Sequence, residues 1–249
     1  MAKKDETKSK RQIVREQRMK RQRQQRVLTI VIITAVALVV AFFLIAPSVR
    51  NAMTPVGEIV RITPVARPDA DGKAIGDASA PVLVEVWEDF QCPACQGYSQ
   101  SVEPQLIQNY ATTGKIRYEF RHFPFIDDRS GTKESDQAAN ASMCASEQAK
   151  FWEYHDYLFA NWNCENQGSF SDKRLVAFAE ALGLDMAKFN DCFNANRYKD
   201  VIDKDLADGN QAGVQGTPSV FVNGQILKPG FVPSYEEIAQ AIDAAIAGQ

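Results

Sequence analysis

The 249-residue sequence has two histidines, His122 and His155, and one Cys-x-x-Cys pair, Cys92 with Cys95. A structural zinc site usually takes four cysteine or histidine ligands. With no second pair and no histidine in ligand spacing to a further cysteine, no metal is expected, and both histidines read as structural. A glycine-rich phosphate-binding motif is also missing, as are internal repeats and low-complexity tracts. No cofactor is expected. The net charge of −3 is small but conceals two opposed parts. Met1 to Arg26 holds eleven Lys and Arg against three acidic residues, giving +8, while the remaining 17 basic and 28 acidic residues give −11. The basic stretch lacks interleaved aromatics, so a nucleic-acid partner is not expected, and anionic lipid explains it better.

Lipid enters because Val27 to Ala46 is twenty residues without a charge, with only Thr29 and Thr34 polar. At about 1.5 Å per residue such a helix reaches roughly 30 Å, the hydrocarbon thickness of a bilayer. The excess of basic residues before it places residues 1–26 in the cytoplasm and everything after Pro47 outside. A signal peptide is the competing reading, but the apolar run exceeds the usual length of roughly 7 to 15 residues and no small-x-small cleavage site follows. An uncleaved single-pass anchor is expected.

Chemistry points to Phe90-Gln91-Cys92-Pro93-Ala94-Cys95. Val82 to Trp87 reads as a buried strand and Tyr98 to Tyr110 as a helix, so Cys92 falls at a helix's first turn. Free backbone N–H groups and the positive end of the helix dipole favour a thiolate there, the form that attacks disulfides. Far downstream, Gly216-Thr217-Pro218 precedes the strand-like Ser219 to Val222 and an Asn223-Gly224 turn. Thr217-Pro218 is a candidate cis bond.

Together these segments resemble the DsbA-like branch of the thioredoxin-fold thiol:disulfide oxidoreductases, membrane-anchored bacterial type. The resemblance is carried by Gly76 to Val82, Glu88 to Cys95, Lys150 to Asp156 and Gly213 to Pro218, and spans about Ile75 to Ala247. It implies an α/β thioredoxin-like fold with an inserted helical subdomain, behind one N-terminal transmembrane helix. It implies Cys92 as the exposed nucleophile, Cys95 as its buried partner, and Pro218 as a cis-proline beside Thr217. A cis bond there would turn the Thr217 backbone toward the cysteines, where an extended client strand could pair with it. Clients would be folding exported proteins with free cysteines. A quinone-linked membrane thiol oxidase of the DsbB or vitamin-K-epoxide-reductase type would re-oxidise the pair.

The strongest oxidants of that branch carry histidine between the cysteines, whereas Pro93-Ala94 offers no polar group. An intermediate oxidant is therefore expected. Glu85, Glu88 and Asp89 are candidate tuning residues. Strand alternation leaves Glu85 either a buried proton acceptor for Cys95 or a residue near an exposed edge, and Asp89 reads as a brace for the loop. A reductase or isomerase is the rival within the enzyme class, and a copper-handling assembly factor the rival outside it.

Cys144, Cys164 and Cys192 allow three pairings with one thiol left over. Cys144 with Cys192 is the expected pair, since both lie in helical segments of the region between the two motifs, and Cys144 with Cys164 is the rival. By layout, residues 1–26 are a basic tail, 27–46 the anchor and 47–74 a linker with a possible edge strand at Gly57 to Thr63. Residues 75–249 form one domain, with helices inserted over about 133–213. Those helices are expected at Ser135 to Asn161, Asp172 to Leu182, Met186 to Phe193 and Lys199 to Ala212. Lys115 to His122 and Gln225 to Lys228 read as strands and Tyr235 to Ala247 as a closing helix. Phe151, Trp152, Tyr154, Tyr157, Leu158 and Phe159 read as core packing before a substrate groove.

Overall fold

The computed structural model describes residues 10–53, 55–65, 67, 69–127 and 131–248. The first nine residues of the basic tail, residue 54 of the linker, residues 66, 68 and 128–130, and Gln249 lie outside the described residues. Two compact units divide at Pro55 and Val56. The first is a single helix, α1 (Lys10–Met53), whose segment Arg18–Phe43 is long and apolar enough to cross a membrane. Within it Thr29 and Thr34 donate their hydroxyls to the carbonyls of Gln25 and Ile30, which satisfies the two polar side chains of the apolar run.

In the second unit, the alternation of Val82, Val84 and Val86 with Leu83, Glu85 and Trp87 demands cover on both faces. The strand β2 (Val82–Glu88) obtains it at the centre of a five-stranded sheet ordered β1-β3-β2-β4-β5. Its neighbours are β3 (Ile116–His122), parallel to it, and β4 (Ser219–Val222), antiparallel. The edges are β1 (Ala74–Ile75) and β5 (Gln225–Leu227), each antiparallel to its neighbour. Asn223 and Gly224 both take positive φ, the backbone a two-residue hairpin needs. Asn223 also accepts from the Leu83 N–H at 2.8 Å through its side chain, tying the turn to β2.

On one face Val82, Val84, Val86, Tyr118 and Phe120 enter the main core, closed by α9 (Tyr235–Ala247) through Ile238 and Ile242. A capping box between Ser234 and Glu237 starts that helix. On the other face Trp87, Phe123, Val214 and Phe221 form a smaller cluster. Between β3 and β4 runs the helical subdomain: α4 (Glu134–Ser146), α5 (Phe151–Ala160), α6 (Asp172–Ala181), α7 (Met186–Asn194) and α8 (Lys199–Ala212). A disulfide joins Cys144 of α4 to Cys192 of α7, and Cys164 is an exposed thiol. A closed loop of 48 residues stabilises by about 4 kcal/mol on the chain-entropy model.

Two expectations need correction. The helix expected over Ser135 to Asn161 is two helices, broken where Ala149 takes φ 56° and Gln148 bonds through its side chain to the Asp185 backbone. Phe151, Trp152, Tyr154, Tyr157, Leu158 and Phe159 are all buried, the core packing expected of them. Residues 57–63 form no strand. Side chains satisfy that segment instead: Asn161 bonds both the N–H and C=O of Val60, and Arg174 donates to the carbonyls of Val56 and Glu58.

Gly209 of α8 lies so close to the sheet that a Cβ would stand 2.7 Å from Trp87 and 2.8 Å from Phe123. In an open helix, alanine for glycine gains about 1 kcal/mol. Here Gly209→Ala is expected to lose about 1–3 kcal/mol by overpacking, read from urea unfolding of the full chain; a gain in stability would contradict this packing.

Candidate active site

The site forms where β2 ends. Glu88 closes the strand, Asp89 to Gln91 turn, and Cys92 is the N-cap of α2 (Pro93–Ser101), with Pro93 at the first helical position where no N–H is needed. The helix expected from Tyr98 thus starts earlier, and it breaks at Val102 into the short α3 (Glu103–Leu106) and a π-helical turn, Ile107–Ala111. Across the gap the Thr217-Pro218 bond is cis and the Thr217 carbonyl oxygen lies 3.3 Å from Cys92 Sγ. The geometry therefore brings Cys92, Cys95, Thr217 and Pro218 together, although β2 and β4 are far apart in sequence.

Cys95 is fully buried, and Cys92, expected to be exposed, is only 6% exposed because the Thr217 loop covers it. Pro93 and Ala94 are exposed. Burial alone raises a thiol's pKa, yet that of Cys92 falls to about 6. The largest cause is the Cys95 thiol, which donates to it; the Thr217 side chain and the backbone N–H groups of Cys95 and Ala94 add to this against the desolvation. Cys95 moves the opposite way, pushed well up by burial, by its bond to Cys92 and by the charge of Glu88. Such a pair holds one proton on the inner sulfur and leaves the outer one charged, the arrangement that disulfide exchange uses.

A profile of the family described as thioredoxin matches residues 69–244. The probable disulfide bond formation protein D of Bacillus cereus is 30% identical over 175 residues, which cover 69% of this chain and 77% of the relative. The chain belongs to the DsbA-like branch of the thioredoxin superfamily. It is a thiol:disulfide oxidoreductase. Two solved structures share its fold. BdbD from Bacillus subtilis aligns with TM-score 0.64 at 22% identity, covering 77% of this chain and 100% of that one. Wolbachia pipientis α-DsbA1 aligns with TM-score 0.58 at 24% identity, covering 73% and 94%.

Of the three acidic candidates in this oxidoreductase, Glu85 does not reach the cysteines. It faces the opposite side of the sheet and pairs with Arg121 at 3.1 Å. Glu88, 1% exposed, is the carboxyl beside Cys95; burial, then the charges of Glu103 and Cys92, push its pKa well up. Asp89 is the brace: it accepts from Gln91 N–H at 2.8 Å, Ser135 hydroxyl at 2.7 Å and Ile126 N–H at 3.1 Å. Burial raises its pKa to about 7 despite those donors. His122 is a neutral buried ring, its pKa lowered to about 3 chiefly by desolvation.

Sequence reading missed Gln91, the residue before Cys92. Its side chain donates to Asp127, Ser135 and Asn166 and accepts from the Asn166 N–H, while its carbonyl accepts from Trp162 Nε1 at 2.7 Å. It fastens the cysteine loop to the helical subdomain. Only its place next to Cys92 hinted at this, since an amide side chain carries no periodicity signal.

Asp89→Ala strips three buried donors of their acceptor, so it is expected to lower stability by about 2–4 kcal/mol. Denaturant unfolding of reduced and oxidised protein measures it, and a loss below about 0.5 kcal/mol, the scale of an ordinary surface change, would contradict the bracing role.

Proposed function

We propose that this oxidoreductase is a membrane-anchored oxidase acting outside the cytoplasm, which gives its Cys92–Cys95 disulfide to folding exported proteins. The observation that carries the reading is the acidity of Cys92, set by Cys95 and Thr217. A client thiolate attacks Cys92, the Cys92–Cys95 bond breaks, and Cys95 leaves and takes up a proton. A second client thiol then attacks the client sulfur, and Cys92 leaves as a thiolate. Thr217 and the cis Pro218 present a backbone edge for an extended client, which would recognise backbone rather than sequence. Glu88 is assigned as the proton donor and acceptor for Cys95.

A depressed thiol pKa stabilises the reduced enzyme only where the ordinary thiol would still hold its proton. The effect is absent below about pH 6, is about 1 kcal/mol at pH 7, and reaches about 3 kcal/mol only above about pH 8.5, the ordinary thiol value. At neutral pH that raises the reduction potential by a few tens of millivolts over an ordinary pair. With no polar group at Pro93 or Ala94 to add more, an intermediate oxidant follows.

The location rests on α1 and on charge: the apolar segment is flanked by a basic tail on one side and an acidic domain on the other. The Cys144–Cys192 disulfide suits an oxidising compartment. Re-oxidation falls to a quinone-linked membrane thiol oxidase of the DsbB or vitamin-K-epoxide-reductase type. A reductase or isomerase would use the same sulfurs with electrons flowing in reverse. Copper handling would need a third soft or imidazole ligand beside those sulfurs, and the buried group of Glu88, Glu103 and His155 holds one imidazole and two carboxylates.

The test is Cys95→Ser in the full chain expressed in its cell, with the potential of the native protein measured alongside. The expected results are Cys92-linked mixed disulfides with exported proteins and a potential between about −270 and −120 mV, the values of thioredoxin and DsbA. No trapped protein, or a potential below that of thioredoxin, would overturn the oxidase.

A further inference from the structure

Behind the cysteines lies a buried polar cluster that the exchange steps leave unexplained. Glu88 of β2, Glu103 of α3 and His155 of α5 are each no more than 1% exposed, and a ligand atom of each lies within 4.8 Å of the others. Among the described residues, Glu103 Oε2 and His155 Nε2 have no hydrogen-bond partner, and the oxygens of Glu88 have none beyond the Cys95 thiol. Groups this deeply buried are rarely left unsatisfied, and an unpaired buried carboxylate is costly. A site that takes up and passes on a proton has reason to keep such atoms unpaired.

The cluster has an inner and an outer end. Cys95 and Glu88 meet at the inner end, where the charge of Glu88 strengthens the hold of Cys95 on its proton while the bond from the Cys95 thiol eases that of Glu88. At the outer end His155 Nε2 stands 3.5 Å from Glu103 Oε2, and Nδ1 lies 3.1 Å from Asp156 Oδ1. Arg67 bonds Glu103 Oε1 and Asp156 Oδ1, both at 2.7 Å. Arg67, Glu103 and Asp156 all line a surface groove with Ile62, Thr63 and Val65. One guanidinium thus faces two carboxylates, and the His155 ring sits between the same two.

We propose that Glu103 and His155 carry the Cys95 proton onward from Glu88 to the groove beside Arg67 and Asp156. The proposal rests on the exchange reading of Cys92 and Cys95. Oxidised glutathione makes the balance explicit. Cys92 thiolate attacks it, forming a mixed disulfide and releasing one glutathione thiolate. Cys95 sulfur then attacks Cys92, the Cys92–glutathione bond breaks, a second glutathione thiolate departs, and the Cys95 proton passes to Glu88. Glu88 has two oxygens, so it can accept a proton from Cys95 on one and yield one from the other. The gap to Glu103 or His155 is one that carboxylate rotation or a single bridging water spans. Asp156 stays ionised and holds the ring, its pKa lowered by the bonds from His155 and Arg67 despite its burial.

The titratable and charged groups facing this path are Cys92, Cys95 and Tyr98 from α2, Glu103 from α3, Tyr118 and His122 from β3, His155 and Asp156 from α5, and Arg67. Tyr98 and Tyr118 remain protonated, their pKa values pushed well up first by burial. They act as fixed dipoles.

The test follows closure of the Cys92–glutathione disulfide in the reduced full chain, held in detergent micelles, across about pH 6 to 8 in ordinary and heavy water. Closure in the native protein is expected to vary little with pH and to slow in heavy water. Glu103→Gln and His155→Gln are each expected to slow it about tenfold, below the loss for a direct general base, and to make it rise with pH. Glu103→Asp should lie closer to the native protein than Glu103→Gln. Alkylation of Cys92 should not change. Native closure rates and pH profile in both variants would overturn the proposal. So would a parallel loss of Cys92 alkylation, which marks a structural role, or stoichiometric divalent metal in the purified protein, which marks a metal centre. If no mixed disulfide forms at Cys92 in the native protein, the exchange reading fails and this proposal goes with it.

Discussion

The chemistry of this protein depends on one proton shared unequally by two buried sulfurs. Cys95 has no access to water, so its ionised form is costly, and its S–H turns to the sulfur of Cys92. Cys92, at a helix N-terminus with the N–H groups of Ala94 and Cys95 at hand, takes the charge instead. Separated by one helical turn, the two cysteines acquire opposite acidities from opposite surroundings.

Such a pair works only if the groups around it do not drift. Hydrogen bonding on two sides fixes them. The pairing of β2 with β4 sets the Thr217 carbonyl over Cys92, since Trp87 and Ser219 are in register just before each strand meets the site. Asp89 and Gln91 anchor the turn between β2 and α2 to Ser135, Ile126, Asn166 and Trp162. The inserted helices therefore hold the cysteine loop from above while the sheet holds it from below. Their own packing is fixed by the Cys144–Cys192 bond and the Tyr154, Phe178 and Phe189 rings.

Much of this was legible in the chain. Valines at alternate positions gave the central strand, Asn223-Gly224 the hairpin, and helix-period patterning the ranges of α8 and α9 to the residue. Local signals failed where tertiary contacts decide. Nothing in Ser135 to Asn161 marks a break, because Ala149 adopts its positive φ to suit the packing of α4 and α5. The 57–63 segment has strand-like residues but finds the side chains of Asn161 and Arg174 rather than an open sheet edge. At the site, alternation placed Glu85 on the face of Leu83 and Trp87. It did not reveal that this face meets Arg121, or that Glu88, at the strand's last position, lies against Cys95. Cys92 was expected in the open because sequence does not show how far the Thr217 loop covers it.

The direct measurement is the ultraviolet absorbance of the Cys92 thiolate across pH in the reduced full chain, compared with Cys95→Ala. The account predicts a midpoint near 6 in the native protein and a clear rise toward the ordinary thiol range in the variant. A native midpoint at about 8.5, the value of an unperturbed cysteine, or one near 6 that survives loss of Cys95, would contradict it.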